Sequence, residues 1–349
     1  MTDIKASPSR SSSGDISAYA AMKAGQPLQP HKFVPKALGS MEVEIAITHC
    51  GMCHTDLHLI NNDFGISSYP LVPGHEIVGV VSQLGSGATG LSVGQRVGVG
   101  WLAGACFVCE QCAAGRDNLC SKGQPTCLGR EGGYATHVRA DSRFAFPIPD
   151  NLASEVAAPL LCAGITVFAP LLRHGVAGAS RFGVIGIGGL GHLALQYGRA
   201  LGCHVTAFSS SPAKGKEAKQ FGADEFVATE RPGALEANAN SCDFLLCTVT
   251  ADVPWKDYLA VLRPGGKLCM VGVPEHDMQI PALPLILGQK SVVSSVVGSR
   301  SEIQMMLEFS ARHRIAPQIE IFPMDQVNRA LDRLRTNQMR YRAVLTNAK

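Results

Sequence analysis

Four cysteines fall within fifteen residues, in the run CFVCEQCAAGRDNLC. They are Cys106, Cys109, Cys112 and Cys120, spaced C-x2-C-x2-C-x7-C. Four thiolates this close, separated mostly by small and polar residues, can wrap one tetrahedral ion. Zinc suits such a shell best, because it accepts four sulfurs and has no redox chemistry of its own. A closed shell leaves no open position, so the expected role is structural. An iron–sulfur cluster is the rival reading, since four cysteines hold it equally well.

A second group of possible ligands lies outside that loop. Cys50, Cys53, His54, Thr55, Asp56 and His58 stand in HCGMCHTDLH, His75 and Glu76 in PGHEIVG, and Cys162 in PLLCAGIT. A catalytic zinc takes three protein ligands and keeps one position open. A cysteine near 53, with His75 and Cys162, would supply two sulfurs and one nitrogen. Spacing alone does not bring the three together. By spacing alone Cys162 reads as a buried structural thiol, and His75 as a histidine in a turn.

The third constellation is GIGGLG, with Gly186, Gly188 and Gly191 as G-x-G-x-x-G. It follows the apolar run RFGVI and opens the apolar run HLALQYGRA, the strand-to-helix setting in which this pattern binds dinucleotides. The first glycine makes the tight turn, the second lets the pyrophosphate approach, and the third lets helix pack on strand. The helix N-terminus then faces the phosphates. Cofactor choice is read about 20 residues on, where an acidic residue would hold the ribose of NAD. Here stand Ser209, Ser210 and Ser211, then Lys214 and Lys216, with no carboxylate before Glu217. Hydroxyls and a cation can hold a 2′-phosphate, so the expected cofactor is NADP(H). The serines could also cap the following helix.

These residues need two kinds of scaffold. Residues 17 to about 150 are rich in Gly and Pro. VEIAIT (43–48), EIVGVVSQLG (76–85) and QRVGVG (95–100) read as short strands, in a β-rich, barrel-like unit with long loops. From about 153 the period changes. ASEVAAPLLCAGITVFAPLL reads as one long apolar helix or two short ones. RFGVI, HVTAFSS, DFLLCTV, KLCMVGV and SVVSSVVG then read as strands alternating with helical text, which implies a parallel sheet covered on both faces. The stretch from about 300 opens with a helical run, SEIQMMLEFSARH, and ends in short mixed text. A chain of 349 residues suits two domains. Its 46% hydrophobic and 17% charged residues are a globular composition. A net charge of +3 gives no argument for nucleic acid or membrane. The Ser-rich start, 1–16, reads as a disordered tail with no secretory core, and the default address is cytoplasmic. There the twelve cysteines are expected to be reduced, metal-bound or buried.

Together these motifs resemble the zinc-containing medium-chain dehydrogenase/reductase family, and within it the cinnamyl alcohol dehydrogenase branch. The carrying residues are CGMCHTDLH (50–58), PGHEIVG (73–79), the cysteine loop (106–120), PLLCAGITV (159–167), GIGGLGH (186–192) and SSS (209–211), with GADEFV (222–227) and LRPGGKLCMVGVP (262–274) beside them. The likeness covers about 17–349. It implies an α/β architecture: a GroES-like β-rich catalytic domain (17–155, with a C-terminal return at 297–349) and a Rossmann domain with a doubly wound parallel sheet (156–296).

The same resemblance implies that Cys53, His75 and Cys162 hold a catalytic zinc and that Cys50 does not. Glu76 matches an exchangeable or outlying carboxylate, and Asp56 the partner of the ligand histidine. Thr55 matches the hydroxyl that touches the substrate oxygen, and His58 the outer end of a proton relay through the cofactor ribose. His54 sits near the cofactor phosphates. Gly189 and Leu190 in the turn and Thr166 in PLLCAGITV complete the implied cofactor contacts. The implied complement is one catalytic and one structural zinc per chain, NADP(H), and a homodimer. Val296 and Val297 stand where plant relatives carry a bulkier aromatic, which argues against a preference for large lignin-type aldehydes.

The implied reaction is hydride transfer between NADP(H) and aromatic or medium-chain primary alcohols and aldehydes, with zinc as Lewis acid. The alternatives are an NAD-linked polyol or formaldehyde dehydrogenase of the same superfamily, and a non-catalytic nicotinamide redox sensor on the same scaffold. A zinc-free quinone or enoyl reductase would not need Cys53, His75 and Cys162 together. A zinc-ribbon nucleic-acid binder is disfavoured because Arg116 is the only basic residue in the cysteine loop.

Overall fold

The computed structural model describes residues 14–274 and 276–347. The expected tail, 1–16, lies outside them except for its last three residues. Of these, Ile16 already belongs to the first strand, where it pairs with Phe33.

The chain divides into two compact units. One runs up to Cys162 and takes in Gly298–Ala311 and everything from Ala316 on; the other is Ala163–Val297 with Arg312–Ile315. The first unit thus reaches seven residues beyond the expected boundary at 155, because helix Ser154–Pro159 packs on its strands.

The first unit opens with a hairpin of β1 (Ile16–Ala20) and β2 (Gln29–Phe33). Then come β3 (Glu42–Met52), helix α1 (His54–Asn61), β4 (Glu76–Leu84), β5 (Arg96–Val99) and β6 (Leu102–Gly104). The short helix α2 (Glu110–Ala113) precedes β7 (Gln124–Pro125), β8 (His137–Asp141), β9 (Phe146–Pro147) and helix α3 (Ser154–Pro159). Strand β3 alternates little; most of it is buried, as expected of a strand covered on both faces.

Residues Leu160–Gly164 form a π-helical turn that joins α3 to α4 (Ile165–Arg173). A wide turn of this kind is common at functional positions, and Cys162 sits in it. The helical run Ser154–Arg173 is apolar and long enough to cross a membrane, but most of it is buried in protein.

The second unit continues with β10 (Arg181–Ile185), α5 (Gly191–Ala200), β11 (His204–Ser209), α6 (Gly215–Gln220) and β12 (Glu225–Ala228). It goes on with α7 (Ala234–Ala237), β13 (Cys242–Cys247), α8 (Trp255–Val261), β14 (Leu262–Met270), α9 (Ala282–Gly288) and β15 (Ser291–Ser294). All six strands pair in parallel, in the order β12-β11-β10-β13-β14-β15. The order reverses beside β10, the switch point at which doubly wound sheets bind dinucleotides. The sheet's core is apolar, built around Phe208, Leu245, Leu259 and Leu268.

The chain then returns to the first unit as α10 (Arg300–His313), β16 (Ile319–Pro323), α11 (Val327–Arg335) and β17 (Arg342–Thr346). The segment read as mixed text from sequence is therefore ordered. Helix α11 buries Val327, Ala330, Leu331 and Leu334, one stripe of an amphipathic helix. Strand β17 pairs antiparallel with β3 and parallel with β16, completing a mixed sheet β16-β17-β3-β4-β5-β9, with β8 also on β3.

Candidate active site

The site is built on β3, α1 and β4 of the first unit. Strand β3 ends at Met52 and Cys53 caps α1, so the chain turns sharply at the cysteine. Cys53, His75, Glu76 and Cys162 place one ligand atom each within 4.8 Å of one another. Three segments far apart in sequence therefore converge, as spacing alone could not show. Cys50 is fully buried and stands outside this group; its thiol contacts the carbonyl of Gly51 at 3.5 Å.

His75 is fully buried. Its Nδ1 lies 3.0 Å from Asp56 Oδ1, while its Nε2 has no hydrogen-bond partner among the described residues. A buried ring nitrogen without a partner calls for an explanation, and two neighbouring sulfurs supply one. The donor set, N and S with a carboxylate beside them, fits a divalent zinc ion. Hydrogen bonding to Cys162 draws the Cys53 thiol well below its ordinary range, and the same bond, with burial, raises Cys162.

Asp56 organises this cluster. Its Oδ2 accepts from the backbone N–H of Cys53 at 2.9 Å, and its Oδ1 from that of Gly74 at 3.0 Å. One carboxylate so ties both ligand-bearing segments together and fixes the His75 ring, as partners of metal-binding histidines commonly do.

Glu76 points to the same place but is held by Arg342 of β17, whose Nη2 donates to its Oε1. Both residues are buried. Burial raises the Glu76 carboxyl to about 7 although the guanidinium opposes it. Gly51 makes room for this carboxylate; a Cβ there would sit 2.0 Å from Glu76 Oε2.

The expected relay residues lie on α1. Thr55 Oγ1 is 3.6 Å from Cys53 Sγ. His58 lies one turn on, partly exposed, with Nδ1 2.8 Å from Asp63 Oδ2. His54 is exposed at the first position of the same helix.

The four-cysteine loop closes on itself. Sulfur separations are 3.5 Å for Cys106–Cys120, 3.8 Å for Cys109–Cys120 and 3.9 Å for Cys106–Cys112. A tetrahedron with Zn–S bonds near 2.3 Å has edges of about 3.8 Å, so the four thiols fit zinc. Backbone N–H groups of Val108 and Cys109 lower Cys106 to about 6. Such a thiol is already inclined to the thiolate form that binds metal.

In the second unit the three glycines of the turn differ in backbone conformation and in what surrounds them. Gly186 has φ +88°, which only glycine adopts readily. A Cβ on Gly188 would meet nothing within 4 Å, so that face is open. A Cβ on Gly191 would sit 2.0 Å from the Gly186 carbonyl, so helix packs directly on turn. Gly189 and Leu190 lie between them, ahead of α5. Ser209 ends β11 and accepts from the Ser211 N–H at 3.2 Å. Ser211 makes no side-chain cap to the turn after it, so capping does not account for that serine. Ser210 is exposed, and Lys214 Nζ donates to the Ile187 carbonyl at 2.6 Å, bringing a cation back to the glycine turn. Thr166 is buried in α4.

Residues 39–150 match the alcohol dehydrogenase GroES-like domain, and residues 189–312 the zinc-binding dehydrogenase family. The chain is 43% identical to the aldehyde reductase AdhA of Synechocystis over 334 residues, 96% of this chain and 99% of that one. It is 43% identical to probable cinnamyl alcohol dehydrogenase 6 of rice, over 95% of each. The chain belongs to the zinc-binding alcohol dehydrogenases.

A solved cinnamyl alcohol dehydrogenase from Sorghum bicolor shares this family fold with a TM-score of 0.92 at 38% identity, covering 95% of this chain and 98% of that one. One from Helicobacter pylori, solved with NADP(H), gives 0.88 at 30% identity over 95% and 98%. Membership makes the chain an oxidoreductase of the alcohol dehydrogenase class. Its architecture is the family's GroES-like and Rossmann pair.

Several residues of this zinc-binding dehydrogenase site escaped the sequence reading. Arg342 is an arginine heading an apolar strand, which is a signal in itself. Cys127 is a fully buried thiol grouped with Asp56 and His75. Trp101 sets its ring edge-on to His75, with centroids 5.2 Å apart. Asp63 and Tyr134 gave no local signal.

Proposed function

We propose that this chain is a zinc-dependent, NADP(H)-linked aldehyde reductase and alcohol dehydrogenase, acting on aromatic or medium-chain primary aldehydes and alcohols. The observation that carries the proposal is the buried His75 Nε2, without a partner and facing Cys53 and Cys162 while Asp56 holds the other ring nitrogen.

Cys53, His75 and Cys162 would hold the catalytic zinc, and Cys106, Cys109, Cys112 and Cys120 the structural one. The bound catalytic zinc supplies Lewis acidity at the substrate oxygen, and the bound nicotinamide supplies or receives the hydride. Thr55, beside Cys53, would relay a proton to the oxygen of an aldehyde or from that of an alcohol, its own hydroxyl proton being replaced from, or passed on toward, the His58 side. His58, held by Asp63 and open to solvent, suits exchange of that proton with water. Trp101 offers an apolar wall beside His75, which favours an aromatic or alkyl chain over a polyol.

Gly186–Gly191 would bind the pyrophosphate. Ser209, Ser210, Ser211 and Lys214 would receive the 2′-phosphate, because β11 ends in hydroxyls rather than a carboxylate. The NADP(H) complex of the Helicobacter pylori relative supports that choice. His54 and Thr166 are assigned to the cofactor by family position.

We further infer a homodimer formed through the second unit. Strand β15 ends the described sheet, and the exposed apolar residues Val273, Leu283, Ile286, Leu287, Val292 and Val296 lie on β15, on α9 or in the connections around them. A large exposed apolar set beside a strand edge marks an association surface.

The deciding experiment is NADPH oxidation with cinnamaldehyde, benzaldehyde and short aliphatic aldehydes, run beside NADH and with a chelator. Fast, chelator-sensitive turnover with NADPH is expected. Absence of turnover with every aldehyde, in protein that holds zinc and cofactor, would overturn the reading.

A further inference from the structure

We propose that Tyr134 is a positioning residue for the metal-binding imidazole, acting through Asp56. The proposal rests on the reading of Cys53, His75 and Cys162 as a metal site.

Tyr134 is fully buried, and its hydroxyl lies 3.2 Å from Asp56 Oδ2. That oxygen also accepts from the Cys53 N–H at 2.9 Å. The other oxygen accepts from the Gly74 N–H and faces His75 Nδ1, each at 3.0 Å. The carboxylate therefore has four donors, two on each oxygen. This uses about all the lone-pair sites a carboxylate offers. Rotation about its Cβ–Cγ bond would break at least one of these bonds.

The four donors are not equivalent. Three come from the ligand residues or from the residue next to one: the N–H of Cys53, the N–H preceding His75, and His75 itself. Only the Tyr134 hydroxyl comes from elsewhere in the unit. It is the one donor that lies on neither the Cys53 nor the His75 segment, although its backbone is bonded to the latter.

Its own backbone is fixed to suit. The Tyr134 N–H donates to the Pro73 carbonyl at 2.9 Å, and the Gly133 N–H to the Gly74 carbonyl at 2.8 Å. The Tyr134 carbonyl accepts from Tyr19 of β1 at 2.8 Å. Gly74 lets the ring lie close, since a Cβ there would be 2.7 Å from Tyr134 Cδ1.

A phenylalanine would fill the same apolar volume without burying a hydroxyl. Burying one is unfavourable unless it is hydrogen-bonded, so the tyrosine is explained by what its hydroxyl does. Without it, Oδ2 keeps one donor. Three donors remain, so the carboxylate stays in place but is held less firmly, and the imidazole with it.

The test compares the zinc-loaded wild type with Tyr134→Phe and with a control, Tyr69→Phe. The Tyr69 hydroxyl donates to the Ile60 carbonyl at 2.9 Å, in the same unit. Zinc per chain is measured first, and release to a chromophoric chelator is then followed in time, alongside the melting temperature. In Tyr134→Phe, the zinc equivalent that His75→Ala abolishes should leave about 10-fold faster, the low end of the effect of partners around a metal site. The four-cysteine equivalent should leave at the wild-type rate, and Tyr69→Phe should match wild type in both.

Unchanged release of the His75-dependent zinc would overturn the proposal. So would faster release of both equivalents together with a lowered melting temperature, since that is the mark of a structural role alone. If His75→Ala leaves zinc per chain unchanged, the metal reading fails and takes this proposal with it. That outcome is separate from equal release rates in protein whose zinc depends on His75.

Discussion

Thr55 and Ser210 test the site one side chain at a time. Thr55 Oγ1 lies 3.6 Å from Cys53 Sγ, near enough to meet a substrate oxygen beside the proposed metal site. Thr55→Ala should lower kcat/KM by about 10²–10⁴-fold, the usual size of a proton-transfer contribution. Zinc content should not change, and Thr55→Ser should restore most of the rate; near-normal kinetics in the alanine variant would remove Thr55 from proton transfer. Ser210→Asp places a carboxylate where a 2′-phosphate is proposed to lie. It should raise the KM for NADPH by about 10-fold or more while sparing NADH, as repulsion of like charges at this range is worth about 1–3 kcal/mol. An unchanged NADPH/NADH ratio would remove Ser210 from the cofactor site. Candidates of this kind can be proposed from sequence because each sits inside a local motif. The residues that were missed act over distance: Tyr134 reaches Asp56 across 78 positions, and Arg342 reaches Glu76 across 266. No local pattern encodes such a pair.

Between elements, the Glu76–Arg342 pair links β4 to β17 inside the first unit. It lies beside β3, whose Gly51 faces Val344 of β17 in register. Each partner is costly to bury alone. Desolvation works against the charge on Arg342, and Glu76 together with Cys53 and Cys162 more than offsets it, holding the guanidinium above its ordinary value. Arg342→Met should therefore destabilise the protein by up to about 3–5 kcal/mol, most above about pH 7, because the buried Glu76 carboxyl must then either ionise unpaired or hold its proton. Adding Glu76→Gln should recover a large part of that loss, since the stranded charge is then gone. Urea denaturation of the two variants checks both signs; a double variant no more stable than Arg342→Met would show that the guanidinium acts through packing rather than charge. The elements themselves were unevenly legible. Strand β10, the glycine turn and α5 show a sharp change of period around glycines, and their text gives them away. Helix α11 carries three arginines and an aspartate around a narrow apolar stripe, and β17 opens with an arginine. Both read as mixed text, because their apolar faces make sense only against the sheet that they complete.

For the whole molecule, the open question is what covers the apolar set around β15. Leu287 is 77% exposed, Ile286 70% and Val273 69%, in a unit whose other large apolar residues are mostly buried. Scattered apolar residues are ordinary on a surface, but several close in sequence around a sheet edge are not. A second copy is the simplest occupant. Two edge strands related by a two-fold axis can continue one sheet into the other, so that the same patch serves both partners. The wild type should then sediment as a dimer at micromolar concentration. Ile286→Lys with Leu287→Lys puts two charges on α9 without touching the glycine turn, the serines after β11 or any proposed zinc ligand. It should shift the protein to monomer and lower the melting temperature, because dimerisation stabilises the fold by mass action. Zinc content should stay at the wild-type value, since every proposed zinc ligand lies in the other unit. A double variant that remains dimeric would place the interface elsewhere, and a monomeric wild type would remove self-association as the reason for this apolar surface.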